Sequence, residues 1–345
     1  MTKAMTAPVP GTQAASRPAR VASIDVMRGL VMVLMLLDHV RDMVHVHAHD
    51  FSPTDPQKTS LVLFFTRWLT HYCAPTFVLL AALVRLPAPA VTVIGLAICA
   101  LHNLLDHVGP APVADGAPTP WPVVLWMIVH RFGPAFTSDG RMLFIIYPIV
   151  PWVGLMAAGY GLGEVYGWEA PRRLRFLVRA GLAATVLFVI LRATALYGDP
   201  SPAMPQPTAA RALMSFLNVT KYPPSLQYLL MTMGPALLGL AALEKARGAR
   251  WTGPLETFGR VPLFYYLLQW PYAHLAGLIL GALTGQPLTH FFRSPPDAFR
   301  LARGFGFNLP VVYLAWAVGV VMLYFPCRAY ARAKRRYRKW WMSYL

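Results

Sequence analysis

The stretch Ser23–Asp42 combines an apolar run with ionisable residues at both ends. Asp25 and Arg28 lie about one helical turn apart at its start. Four further ionisable residues stand near its end: Asp38, His39, Arg41 and Asp42. Charged groups in or near hydrocarbon are costly, so they usually face a protein interior or a polar cavity and mark a working site. The chemistry of this chain is therefore expected to involve this helix.

The spacing within this helix favours acid–base chemistry at its end. Residues three positions apart lie on the same face of a helix, so Asp38 can pair with Arg41, or Asp42 with His39. A histidine oriented by a carboxylate is typical of a general base that deprotonates a hydroxyl or an amine near neutral pH. Arg28 shares a face with His39, about 16 Å away at 1.5 Å per residue. Anchoring of these charges at the two membrane surfaces is the competing interpretation.

Two further apolar runs also carry histidine. His71 follows Arg67 by one turn, and an adjacent guanidinium keeps a buried imidazole neutral and able to accept a proton. The alternative is a core histidine bonded to a backbone carbonyl near Pro75. His102 and Asp106 stand one turn apart and form a candidate acid–imidazole pair. Most of the ten histidines fall on the same predicted side, which indicates an outward-facing site that handles protons.

The run His45, His47, His49 and Asp50 has the residue types of a metal site. No second, distant pair of ligands is evident in the sequence, so we expect no metal. A polar external loop is the simpler interpretation, with one histidine lining an active site.

The composition is that of a polytopic membrane protein. Of the 345 residues 56% are hydrophobic and 13% are charged, against about a quarter charged in a soluble domain. The formal net charge of +17 does not indicate nucleic acid, because the basic residues collect beside the last apolar run, where they favour membrane lipids. The cysteines Cys73, Cys99 and Cys327 lie in apolar surroundings and are predicted to be core thiols.

The sequence predicts an all-α transmembrane bundle of about eight spans. The basic residues alternate between sides so that both termini are cytoplasmic, as in a multi-pass protein of the cell inner membrane. Residues 1–20 are predicted to be a disordered tail, 21–330 the membrane domain and 331–345 a basic and aromatic tail. Residues 121–132 are too short to cross and are expected to re-enter or to lie at the interface. The candidate spans are 22–43, 61–86, 89–107, 142–163, 174–197, 225–243, 258–283 and 309–327.

Three segments between or beside these spans are also distinctive. Residues 211–220 have the pattern of a short amphipathic helix at the outer surface. The stretch NVTKYPPS, Asn218–Ser225, holds Lys221 at the outer side. Arg260 opens a span at the inner side, where it either holds a phosphate-bearing ligand in bidentate geometry or anchors the helix.

These stretches resemble the bacterial relatives of heparan-α-glucosaminide N-acetyltransferase, within the wider group of transmembrane acyltransferases. The similar stretches occur in the same order as in that family and cover most of residues 20–330. It is carried by SIDVMRGLVMVLMLLDHVRD, TRWLTHYCAPTFVLLA, HNLLD, YPIVPWVGLMAAGYGLG, NVTKYPPS and GRVPLFYYLL. The resemblance implies a helix bundle around a polar tunnel, with acyl-CoA entering from the cytoplasm. It also implies a key histidine within 39–49.

The chain departs from that family pattern at two places. The family has about two more helices where Phe77–Ala82 here runs directly into Leu83–Pro87, which removes an even number of crossings. Part of the tunnel wall is then missing. Relatives also carry histidine where this chain has Gln269, and an amide cannot shuttle protons.

The expected function is transfer of an acyl group, most simply acetyl, from acyl-CoA to an amine or hydroxyl of an extracytoplasmic glycan or similar polar acceptor. The candidate catalytic residues are His39, Asp38, His71, His102 and Asp106. The candidate CoA-binding residues are Arg28, Arg260 and Asp25. A proton-coupled transporter and a catalytically silent shortened homologue are the alternatives. No nucleic acid is expected as a partner, and homo-oligomerisation is left open.

Overall fold

The computed structural model describes residues 21–80, 88–114, 116–293, 301–337 and 342, and helices make up most of them. The predicted N-terminal tail, the junction at Ala81–Leu83 and most of residues 338–345 lie outside the described residues. The helices are α1 (Ala22–Val44), α2 (Leu61–Leu69), α3 (Cys73–Leu79), α4 (Ala88–Leu101), α5 (Trp121–His130), α6 (Ile149–Val165), α7 (Ala170–Thr194), α8 (Ala209–Leu217), α9 (Leu226–Lys245), α10 (Thr252–Arg260), α11 (Pro262–Leu283) and α12 (Leu309–Tyr337).

Four helices in the described part of the chain are long and apolar enough to cross a membrane. They are α7, α9, α12 and α4 together with the 3-10 segment that extends it, Ala88–His107. A mostly helical, membrane-associated protein is thereby confirmed. The helices α1, of 23 residues, and α11, of 22 residues, have comparable lengths.

Helix α1 occupies the centre of the bundle, where it packs against α9, α10, α11 and α12. Its buried apolar residues, among them Leu36, Val40 and Val44, belong to a core shared with α11 and α12. The approach to α10 is close enough for backbone contact. A Cβ placed on Gly29 would overlap the carbonyl of Leu255, and one placed on Gly259 would overlap the carbonyl of Asp25.

The predicted span 61–86 is wrong as a single continuous helix. A 3-10 segment, Thr70–Tyr72, separates α2 from α3. Pro75 explains the position of the break, because proline lacks a backbone N–H and fits only the first turn of a new helix. Pro75 is the third residue of α3, in the first turn, where a backbone N–H would have no partner within the helix.

Two other predicted span boundaries are also wrong. The span 142–163 begins instead with a strand, β2 (Met142–Ile145), which pairs in antiparallel register with β1 (Gly133–Phe136). The span 258–283 is divided at Val261, whose backbone leaves the helical region between α10 and α11. Short helix α8 corresponds to the amphipathic segment predicted over 211–220, and α5 is a ten-residue apolar helix over the segment predicted not to cross.

Candidate functional site

The C-terminal end of α1 carries a carboxylate held between two guanidinium groups. Asp38 Oδ2 lies 2.6 Å from Arg67 Nη1, and Asp38 Oδ1 lies 3.0 Å from Arg41 Nη2. Thr70 Oγ1 donates a hydrogen bond of 3.1 Å to Asp38 Oδ1. The predicted pairing of Asp38 with Arg41 is confirmed. We call Asp38, Arg41, Arg67 and Thr70 the Asp38 cluster.

The break in the second segment positions two members of this cluster. Arg67 lies in the last turn of α2, and Thr70 begins the 3-10 segment that follows. Arg67 Nη1 also donates to Thr70 Oγ1 over 3.0 Å, so the two side chains meet Asp38 together. The end of α2 and the start of the 3-10 segment thus place both residues beside α1.

His39 lies beside this cluster but does not have the expected carboxylate partner. Within the described residues, neither of its buried ring nitrogens has a hydrogen-bond partner. The ring lies against Trp270 of α11, with the ring centroids 3.9 Å apart. The predicted pairing of Asp42 with His39 is therefore wrong for this structure. Packing against the indole orients the imidazole, and both of its ring nitrogens are buried without a hydrogen-bond partner in the described residues.

His71 is buried at the turn of the same irregular segment, with 3% of its surface exposed. Its backbone carbonyl accepts a 2.7 Å hydrogen bond from the Tyr228 hydroxyl of α9. Its ring Nδ1 has no hydrogen-bond partner among the residues that the structure describes. The structure therefore brings His71 to the Asp38 cluster through the backbone next to Thr70.

Lys221 was singled out in the sequence, but its place near Arg67 and Asp38 was not predicted. It lies half-buried between α8 and α9, and burial and nearby Arg67 lower its pKa to about 8, against the opposing effect of Asp38. A lysine with such a pKa exchanges a proton near neutrality more readily than an ordinary one. The stretch NVTKYPPS thus places a titratable amine next to the Asp38 cluster.

A buried ion pair organises the backbone around that stretch. Arg192, near the end of α7, donates hydrogen bonds to the carbonyls of Phe216, Ser201, Ser215 and Asn218. Its Nη1 lies 4.0 Å from Asp199 Oδ1, with both side chains almost fully buried. Asp199 in turn accepts hydrogen bonds from the Thr220 and Ser225 hydroxyls. Sequence reasoning missed both residues, although a single arginine in the last turn of an apolar helix was an available signal.

A second acid–imidazole group lies where α4 and α5 end. Asp106 Oδ1 lies 2.7 Å from His130 Nε2, and Asn103 Nδ2 donates to Asp106 Oδ2 over 2.8 Å. The predicted pair of Asp106 with His102 is wrong, because His130 of α5 takes that carboxylate oxygen. The His102 and His130 rings are 5.6 Å apart, and neither ring nitrogen of His102 has a hydrogen-bond partner in the described part of the chain.

Sequence reasoning missed His130 because it ends an apolar segment without a neighbouring acidic residue in the chain. The group is joined to the NVTKYPPS stretch and α9 through Asn103, whose Oδ1 accepts from the backbone N–H of Leu226 over 2.8 Å. Leu226 is the first residue of α9, five positions after Lys221. The Asp38 cluster and the Asp106 group therefore both lie next to the segment that leads into α9.

The candidate CoA-binding residues lie near the other end of α1. Arg28 Nη2 donates to the carbonyl of Leu80 over 2.7 Å, and Arg260 forms an ion pair with Glu256. The backbone of Asp25 contacts Gly259, the residue before Arg260. A cleft of about 600 Å³ opens at this end between Ile24, Leu80 and the start of the α6–α7 connection. The contact between α1 and α10 thus brings Asp25 and Arg260 to the same end.

The histidine run after α1 is organised by contacts within the loop. His47 Nδ1 lies 2.9 Å from Asp50 Oδ2, and the His47 backbone N–H donates to His45 Nδ1 over 3.2 Å. Burial, followed by the proximity of His47 and Arg41, lowers the pKa of His45 to about 4. In the described ranges, no three His, Cys, Asp or Glu residues form a group that could hold a metal ion.

Gln269 occupies a fully buried position on α11, one residue before Trp270. Neither atom of its amide has a hydrogen-bond partner among the described residues. A buried amide without partners is energetically costly.

Compared with family models, curated proteins and solved structures, the chain gives no match. The resemblance to transmembrane acyltransferases therefore stays a prediction.

Proposed function

We propose that this protein is an integral-membrane acyltransferase that moves an acyl group from acyl-CoA to an amine or hydroxyl of a polar, glycan-like acceptor. The observation that carries the proposal is the His39 imidazole. It is held against Trp270, lies next to the Asp38 cluster, and has no hydrogen-bond partner at either ring nitrogen within the described chain. A general base needs a fixed ring and a free nitrogen, and His39 has both.

The residues around His39 supply the other requirements of acyl transfer. His39 removes the proton of the acceptor as the acceptor attacks the thioester carbonyl. The new C–O or C–N bond forms, the C–S bond breaks, and the CoA thiolate leaves and takes up a proton. Negative charge on the carbonyl oxygen is stabilised by nearby cations, for which Lys221 and Arg67 are the candidates. His71 is a second candidate base in the same region.

The opposite end of α1 suits the donor. Arg28 and Arg260 lie at the end that the positive-inside rule assigns to the cytoplasm, where CoA is available. Their guanidinium groups can hold phosphate oxygens, with Asp25 positioning the α1–α10 contact. The proposal includes about eight crossings with both termini cytoplasmic in the cell inner membrane.

The test is thioester turnover by the purified protein in detergent or nanodiscs. Acetyl-CoA labelled in the acetyl group is supplied, and release of free CoA and labelled product is followed for wild type and for His39→Ala. A positioned base contributes about 10²–10⁴-fold, so the variant is expected to lose about that much of kcat.

His107→Ala is the matched control, because His107 is an exposed histidine at the end of the α4 extension. It is expected to retain activity. The His71→Ala and His102→Ala variants then rank the remaining histidines. Absence of both acetyl-CoA binding and turnover in wild type would refute the enzyme proposal and favour a silent homologue.

A proton-coupled transporter is the second candidate, and the Asp106, His130 and His102 group favours it. Adjacent imidazoles beside a carboxylate form a relay of the kind that proton-coupled transporters use. Proteoliposomes with an imposed pH gradient and a pH-sensitive dye in the lumen separate the two candidates. Solute-dependent proton movement that His130→Ala abolishes, without thioester turnover, would establish the transporter instead.

A further inference from the structure

The exposed face of α7, which points away from the helix bundle, carries three arginines in one stripe. Arg172, Arg175 and Arg179 are exposed, and their spacing of three and four residues places them on one helical face. None of the three has an ion-pair partner in the part of the chain that the structure describes. The neighbouring Arg173 differs, because it forms an ion pair with Glu244 of α9. The stripe thus presents uncompensated positive charge away from the bundle.

These arginines line a groove together with aromatic residues. The groove has a volume of about 570 Å³ and is bounded by Trp168, Phe176 and Ala180 besides the arginines. The Arg172 guanidinium lies over the Trp168 ring, 4.3 Å from its centroid. An indole at this position is typical of the interface between membrane and water. The contact holds one arginine in place at the head of the groove.

The same stripe becomes apolar further along α7. Ala183, Val186 and Ile190 continue the face of Arg179 at helical spacing, and Val186 and Ile190 are 55% and 51% exposed. From Ala180 to Ile190 the helix rises about 15 Å. This is about half of a 30 Å hydrocarbon core, the depth of one leaflet. The stripe therefore pairs a cationic head region with an apolar tract one leaflet long.

We propose that this groove binds one anionic phospholipid. The arginines hold its phosphate, and an acyl chain lies along Ala180, Ala183, Val186 and Ile190. The chemistry of the stripe selects this occupant, because three cations followed by an apolar tract match a charged headgroup followed by a chain. The proposal is independent of the acyltransferase activity.

Photocrosslinking in nanodiscs tests it. The full chain is placed in phosphatidylcholine nanodiscs containing a trace of phosphatidylglycerol with a diazirine in its acyl chain, and crosslinked peptides are mapped by mass spectrometry. Crosslinks are expected to concentrate on residues 180–190. Unlabelled phosphatidylglycerol should compete, and extra phosphatidylcholine should not. The R172Q/R175Q/R179Q variant is expected to lose about tenfold or more of this labelling.

The matched control is R141Q/R211Q/R303Q, which removes three exposed arginines elsewhere and should label like wild type. Ala183→Trp keeps every charge but fills the groove, and should also reduce labelling, so the test does not depend on the triple variant folding. Equal competition by phosphatidylcholine, or unchanged labelling of the triple variant, would overturn the proposal. Displacement by inorganic phosphate at matched ionic strength would also overturn it, by assigning the groove to a soluble anion.

Discussion

Asp38 of α1 and Arg67 of α2 form a 2.6 Å ion pair between residues 29 positions apart in the chain. Their side chains are 18% and 16% exposed, so water screens the pair only in part. Arg41 contacts the same carboxylate from within α1. Asp38 thereby ties the central helix to the irregular segment that carries Thr70 and His71.

Removing the charge of Asp38 should destabilise the protein strongly. Asp38→Asn preserves the size of the side chain but leaves Arg67 and Arg41 without their shared carboxylate. A buried charge deprived of its partner costs about 3 kcal/mol or more of unfolding free energy. Thermal or denaturant unfolding in detergent measures the loss. Asp139→Asn, which breaks the exposed Arg141 pair, is the control and should change stability by at most about 1 kcal/mol.

The contact between α1 and α10 should tolerate no side chain at Gly259. Gly259→Ala would place a methyl group into the backbone carbonyl of Asp25, so the helices must separate. We expect a loss of at least about 2 kcal/mol. Gly253→Ala lies in the same helix, where nothing stands within 4 Å of the new Cβ. That control should be neutral or slightly stabilising, and similar losses for both variants would contradict the close contact.

Lys221 should react as a neutral amine at unusually low pH. With its pKa lowered to about 8 from an ordinary 10.5, half of the side chain is deprotonated near pH 8. Competitive acetylation with acetic anhydride against free lysine, read by mass spectrometry from pH 6 to 11, gives the midpoint directly. Arg67→Met should raise that midpoint, because it removes a neighbouring positive charge. A wild-type midpoint near 10.5 would show that Lys221 is not buried beside Arg67.

Arg192 should be irreplaceable by lysine. Its planar guanidinium donates to four carbonyls at once, and a lysine ammonium cannot reproduce that fork. Arg192→Lys should cost about 2 kcal/mol or more and increase hydrogen exchange over residues 198–225. Arg211→Lys, at an exposed position of α8, should leave exchange unchanged. Unaltered protection in the Arg192 variant would contradict its role in organising the segment.

Stability should fall in mild acid through His45. Its folded pKa of about 4 lies below the unfolded value of 6.5, so the unfolded chain binds the proton first as pH falls. The contribution of neutral His45 is fully present above about pH 6.5 and is lost as pH falls to about 4. It amounts to at most about 3 kcal/mol. His45→Gln should flatten the dependence of unfolding free energy on pH between 4 and 6.5, whereas a parallel curve would assign the acid sensitivity elsewhere.

Several features were predictable from the sequence because they depend on local geometry. The pairing of Asp38 with Arg41 follows from their spacing on one helix. The amphipathic segment at α8 and the short α5 follow from their length and polarity. The helical, membrane-associated class follows from apolar runs whose length must match a bilayer.

The partners of the polar side chains were decided by tertiary structure. Where several imidazoles and carboxylates lie close together in the sequence, spacing alone allows more than one pairing. Only the packing of the helices determines which pair forms. His130 takes the Asp106 carboxylate that spacing had assigned to His102, because α5 folds back against the end of α4. Arg67 of α2 reaches Asp38 across 29 positions of the chain because α2 packs beside α1.

The sequence by itself determined the apolar helices, the charged ends of α1 and the residues available for chemistry. The tertiary structure decided that His39 lies against Trp270 rather than on a carboxylate, and that Lys221 lies beside Arg67. The physical reason is the separation in sequence over which each kind of contact is determined. Helical spacing fixes neighbours within about a turn, whereas contacts between distant residues depend on how whole helices pack.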